Sequence, residues 1–362
     1  MKITALYVYP VKALRGISLD AAELGGQGLR HDRTFMLCRF GADRALIPMQ
    51  MSEHADCALF HQEMVDGPRG RTVRVRYGRP AEPVAPHHEL QDAVLEFSAE
   101  PETDGLERAE VNLHQSLVHA YRVGSECDDW FAACFGFEVT LLYIGRERRP
   151  VLGTFSPRNP PVAEEAPQTG GGWLPYLSGF VPGLTKPAAV RDEPDWLTFS
   201  DMAPLLLTTE ASLRNVRARF ASGDEQAAVD MCKFRPNIVV DGGDDDDDAW
   251  DEDFWAALSV NGAPALLLTK LCNRCTSLNV DYATGRFSGG LLKALMRDRR
   301  VDEGWRYAPV FGRYGFLDHG VAAPLRVAVG DEVAVTMRAE ERPRWDWPMR
   351  PKPGVARYYR YA

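Results

Sequence analysis

Long apolar runs are missing from this 362-residue chain. The first apolar stretch, Ile3-Thr4-Ala5-Leu6-Tyr7-Val8-Tyr9, stops at Pro10, far short of the ~20 residues a membrane-spanning helix needs. No integral membrane segment and no signal peptide are therefore expected, and a cytoplasmic setting is the default. Cysteine is sparse. Seven thiols, an odd number over so long a chain, do not make the dense even framework of small secreted domains, which points to a reducing compartment. No four-cysteine iron–sulfur spacing, no glycine fingerprint for flavin or nicotinamide, and no Cys-x-x-Cys-His haem site occurs. A basic excess is also lacking: 42 basic against 51 acidic residues leave a net charge of -9, which argues against general attraction to nucleic acid. No internal repeat is present.

What is there is a chain with 45% hydrophobic residues, enough for about two domains. The negative charge has one address. Nine carboxylates lie between Asp241 and Asp253, including Asp244 to Asp248, and equal the whole net charge. Such a run is usually a solvated loop, with binding of a basic partner as the alternative. Alternation with period two predicts half-buried strands over 71–77 and 332–337, and continuous apolar runs predict buried strands over 139–144, 238–240 and 265–268. A helix is predicted from a Ser125 cap to a Gly136 stop, with Trp130, Phe131, Cys134 and Phe135 on one face. A second starts near Thr209 and turns Leu213, Val216 and Phe220 inward. A third, over 291–297, turns Leu291, Leu292, Leu295 and Met296 inward. The proline- and glycine-rich stretch between 150 and 194 reads as a linker or surface excursion, and the tail after Arg342 as extended surface chain.

The chemistry concentrates around Cys272-Asn273-Arg274-Cys275. Taken alone, Cys-x-x-Cys admits a structural zinc site, a dithiol, or two structural thiols. Zinc lacks a second ligand pair, and the dithiol lacks a following helix, since 276–280 reads as strand. Arg235 stands before a proline-stiffened buried strand, and its planar fork suits phosphate. Thr209 opens a helix whose free N–H groups could face an anion. Each has an ordinary reading, Arg235 in a surface ion pair and Thr209 as a plain helix cap. The eight histidines, His87-His88 among them, read as surface or core residues.

Seven short motifs then occur in one order. They are Pro10-Val11-Lys12, Gly28-Leu29-Arg30-His31-Asp32-Arg33, Leu207-Thr208-Thr209-Glu210-Ala211-Ser212, Phe234-Arg235-Pro236-Asn237, Arg274-Cys275, Val280-Asp281 with Thr284-Gly285, and Pro309-Val310-Phe311-Gly312. The series resembles the amidoxime-reducing components and their relatives in the MOSC family. That resemblance implies an α+β, mainly β chain: an N-terminal β-barrel-like domain over 1–149, the excursion over 150–194, a MOSC β-barrel domain with a few packed helices over 195–340, and the tail over 341–362. It implies a molybdenum cofactor of the molybdopterin type with Cys275 as metal ligand and catalytic thiolate. Lys12, Arg33, Thr209, Arg235, Asn273 and Arg274 match its cofactor-binding positions, and Cys272 has no role. Ala13 and Asn273 depart from the usual serine and small residue. The implied activity is reduction of small N-oxygenated substrates, namely N-hydroxylated amidines, oximes and N-oxides. The implied electron source is a separate cytochrome b5-type carrier with its reductase. At the level of the domain the resemblance also brings an association with pyridoxal phosphate. A MOSC protein that carries the cofactor, or serves its sulfuration, without turnover is the competing reading.

Overall fold

A computed structural model describes residues 1–68, 70–159, 194–221, 223, 226, 228–241 and 249–348. Most of the excursion, the run Asp244 to Asp248 and the tail beyond 348 lie outside the described residues.

The protein is mainly β, with few helices. An eight-stranded sheet runs in the order Ile17–Leu19, Ile3–Val8, Ile238–Val240, Leu205–Thr209, Val310–Leu317, Ala263–Asn273, Trp255–Val260, Val333–Arg338. Leu205–Thr209 lies parallel to Ile238–Val240, and the helix Glu210–Arg217 begins the crossover that a parallel pair requires. Both of these strands are buried along their whole length, as continuous apolar runs demand. The first strand of the chain, Ile3–Val8, pairs antiparallel with Ile238–Val240, and Ala21–Gly25 pairs with Leu325–Ala328. Sheet membership thus crosses the sequence division near residue 150.

A five-stranded sheet (Arg108–Leu113, Ser116–Arg122, Val139–Tyr143, Phe35–Phe40, Leu46–Pro48) and a three-stranded one (Phe60–Gly67, Gly70–Tyr77, Leu95–Ser98) belong to the N-terminal region, which forms a nearly closed barrel. Their shared core contains Phe35, Phe60, Val73, Val75, Phe97 and Leu141, and the helix Ser125–Phe135 adds Trp130, Phe131, Cys134 and Phe135.

Four local expectations are corrected. Gly124, not Ser125, is the N-cap of that helix, because its φ of 142° is open to glycine, and Asp128 accepts from the Leu141 N–H at 2.8 Å. Residues Thr276–Asn279 form a 3₁₀ turn, not a strand, and the strand begins only at Val280–Asp281. The helix Leu291–Met296 buries Ala294 with Leu291 and Leu295, while Leu292 and Met296 are only partly covered. The described part of the tail is chain without regular structure, and its Trp347 is buried edge-on against Phe155 at the start of the excursion, ring centroids 5.2 Å apart. Finally, the acidic run does not end in solvent. Glu252 and Asp253 are fully buried, and Arg299 and Arg342 both donate to the Asp253 carboxylate.

Candidate cofactor site

Four short segments meet at one pocket. The turn after the first strand supplies Lys12 and Ala13, and the loop before Phe35–Phe40 supplies Arg33. The turn before Ile238–Val240 supplies Arg235, and the end of Ala263–Asn273 supplies Asn273, Arg274 and Cys275. Hydrogen bonds fix the first two together, since Lys12 N donates to Phe35 O at 2.8 Å and Arg33 N to Tyr9 O at 2.8 Å. Asn237 ties in the third. Its side-chain oxygen accepts from Arg33 Nη1 at 3.0 Å and from Leu206 N at 3.1 Å. Ala13, Arg33 and Arg235 all line this pocket with positive φ (73°, 50° and 56°), a conformation that costs non-glycine residues energy and persists only where packing over-determines it.

The structure brings Lys12, Arg33, Arg235, Asn273, Arg274 and Cys275 around one space and leaves Thr209 outside it. Thr209 is fully buried as the N-cap of Glu210–Arg217, its hydroxyl oxygen accepting from Ser212 N at 3.1 Å. Its ordinary reading is the one observed: the cap bond consumes the side chain in the helix itself.

The two cysteines differ sharply. Cys275 is exposed, at the N-cap of the 3₁₀ turn Thr276–Asn279, with Sγ 3.2 Å from Ser277 Oγ. Cys272 is buried in the same wall, and Arg274 Nη1 donates to its sulfur at 2.9 Å. Burial pushes the Cys272 thiol up, against the pull of Arg274. Arg274 also donates to Phe234 O at 2.8 Å, so it braces the wall as well as charging it. Asn273 donates to Asp302 at 3.0 Å, and its buried oxygen has no partner.

Sequence reasoning missed several residues. Lys12, buried in the wall, is paired with Asp201, which also lines the pocket. Burial lowers Lys12, and Asp201 counters it. Desolvation raises the Asp201 carboxyl, but Lys12 and His114 outweigh it and hold it well below the usual carboxylate range. Arg149 is fully buried behind this group, donating to the carbonyls of Thr198, Ser200 and Asp201. Ser200, buried in the pocket wall, has a hydroxyl without a partner. The signal in the chain was position: Ser200 and Asp201 lie a few residues before the buried strand Leu205–Thr209, just past the far end of the proline- and glycine-rich excursion.

Comparison with known proteins identifies the family. The model described as the MOSC N-terminal beta barrel domain matches residues 1–51, and the model described as the MOSC domain matches residues 194–334. Mitochondrial amidoxime reducing component 2 of Homo sapiens is 33% identical over 319 residues, covering 86% of this chain and 78% of the relative. Mitochondrial amidoxime-reducing component 1 of Homo sapiens is 33% identical over 144 residues, 38% of this chain and 39% of that protein. Molybdenum cofactor sulfurase of Solanum lycopersicum is 25% identical over 289 residues, 78% of this chain. The chain spans only 29% of that sulfurase's length. With both family models in order along the chain, and a relative matched over most of both lengths, this protein belongs to the MOSC-domain family.

Proposed function

We propose that the pocket holds the molybdenum cofactor, with Cys275 as the protein's thiolate donor, and that the chain reduces small N-oxygenated substrates using electrons from an external carrier of the cytochrome b5 type and its reductase. The observation that carries the reading is the exposed Cys275 thiol on a pocket that also presents Lys12, Arg33, Arg235 and Arg274.

The residues present fit such a group. Four basic side chains suit a phosphate-bearing pterin, and the partnerless Ser200 hydroxyl and Asn273 oxygen offer it hydrogen bonds. Among the described residues no cluster of three or more His, Cys, Asp or Glu could hold a metal ion by itself, and the proposed cofactor is one that brings most of its metal's ligands with it. A single soft thiolate supplies the remaining donor. When bound, the cofactor supplies the acceptance of oxygen from nitrogen and the redox electrons. The chain's own residues do the rest: Arg33 and Arg235 bind anionic oxygens, Arg274 braces the wall beside Cys275, and the Lys12–Asp201 pair sets the charge at the rim. Lys12 is the pocket's one lysine among the described lining residues, and its pairing with Asp201 gives no support to the pyridoxal phosphate association.

A second reading has its own support, since cofactor sulfurases match 78% of this chain. On it, the same pocket carries the cofactor with no turnover. Turnover of an N-hydroxylated amidine by the purified chain with a reconstituted carrier and reductase separates the two. Molybdenum and pterin near one per chain without turnover favours the carrier, and absence of both sinks each reading. No helix among the described residues is long and apolar enough to cross a membrane.

A further inference from the structure

Two like charges in the pocket share one aromatic ring. The guanidinium carbon of Arg33 lies 4.2 Å from the centroid of Tyr9, and that of Arg235 lies 4.5 Å from it. Both are well inside the range of cation–π attraction, which strengthens where the cation is partly desolvated. The ring is fixed from several sides. It is 1% exposed, its hydroxyl donates to Pro236 O at 3.1 Å, and the Tyr9 N–H donates to Asp32 Oδ1 at 2.9 Å. Gly16 leaves it room, since a Cβ there would stand 2.6 Å from a ring carbon.

We infer that Tyr9 is a positioning residue, whose ring holds the guanidiniums of both Arg33 and Arg235 in place at the pocket for an oxyanion. The inference rests on the reading that these arginines face an anionic group. Each guanidinium also has a second partner that reaches only part of its fork. Asp32 already binds Arg33 Nη1 at 2.5 Å, and Leu14 O accepts from Arg235 Nη1 at 2.7 Å. The ring attracts both cations without adding a charge of its own, because the phenol keeps its proton: burial raises it more than the two arginines lower it.

The test uses the full chain, produced with and without cofactor. Inorganic phosphate is titrated calorimetrically into the cofactor-free protein carrying Tyr9, Tyr9→Phe, Tyr9→Leu, or 3,4,5-trifluorophenylalanine at position 9. Phenylalanine should bind phosphate within about twofold of tyrosine. The fluorinated ring, nearly the same shape with its negative face removed, should bind about tenfold more weakly in a chain that still melts cooperatively. A purely packing role would treat the two rings alike, so equal affinities overturn the inference even if Tyr9→Leu fails to fold. No phosphate binding by the wild type overturns it too. Phosphate binding with the predicted split, in a wild type that retains no pterin, upholds the inference and removes the cofactor reading.

Discussion

Arg149 donates to the main-chain oxygen of Asp201 at 2.6 Å, 52 positions away, while the Asp201 carboxylate meets the Lys12 ammonium in the pocket. One buried guanidinium thus fixes both flanks of the long excursion and sets the pocket's acidic rim. Burial lowers Arg149 to about 9, so it stays a cation at neutral pH.

Arg149→Ala should therefore cost stability and misplace Asp201. It strips partners from the buried carbonyls of Thr198 and Ser200 and the part-buried one of Asp201, and uncompensated buried polar groups cost about 1–3 kcal/mol each. Urea denaturation should show a loss of roughly 3 kcal/mol or more after relaxation of the loop, and cofactor retention should fall in the protein that folds. Unchanged denaturation would contradict the role.

Cys275→Ala should abolish N-reduction in a folded chain, since the exposed side chain packs little and its thiolate is the proposed donor. Cys272→Ala should keep most activity, although it removes the sulfur that Arg274 reaches. Turnover and the metal's paramagnetic spectrum are the readouts. Wild-type values for both in Cys275→Ala would sink the ligand assignment, whereas equal loss in both variants would assign the function to the thiol pair.

Arg235→Ala should weaken retention of molybdenum and pterin by about ten- to a hundredfold through dialysis, the equivalent of one charge-assisted hydrogen bond. Arg235→Lys should recover part of it, because an ammonium lacks the planar fork and rests differently over Tyr9. Full retention in the alanine variant would leave Arg235 a merely structural residue.

Glu252 gives a pH dependence of stability. Burial, then the neighbouring Asp253, raise it to about 7 from an ordinary 4.5. The folded chain holds a proton that the unfolded chain has released between these values, so the stabilisation is complete below the ordinary value and is lost as pH rises through about 7. The loss approaches about 3 kcal/mol at most. Melting temperature should fall between pH 5 and 8 in the wild type, and Glu252→Gln should flatten that slope.

Serine in place of Asp244 to Asp248 should leave molybdenum content unchanged, because clustered carboxylates near an anionic cofactor would repel it. Asp253→Asn should behave otherwise, destabilising the fold by about 3–5 kcal/mol by leaving Arg299 buried without its countercharge. Metal loss in the serine variant would show the run to be part of the site.

The sequence by itself determined the mainly β class, the strands of continuous or alternating polarity such as Ile238–Val240 and Gly70–Tyr77, and the identity of the pocket's cations and thiol. These are local properties: apolar period fixes a strand, and a planar guanidinium or a soft sulfur has its chemistry wherever it stands. Only the tertiary structure decided that Thr209 spends its hydroxyl on its own helix, that Glu252 and Asp253 leave the acidic run for the core, and that Tyr9, Asp201 and Arg149 belong with the site. Those outcomes depend on partners more than 20 positions away along the chain in every case but the first, such as Arg299 for Asp253 and Arg235 for Tyr9. Burial and pairing with such partners, which no local pattern encodes, set whether a charge is solvated, neutralised or aimed at a ligand.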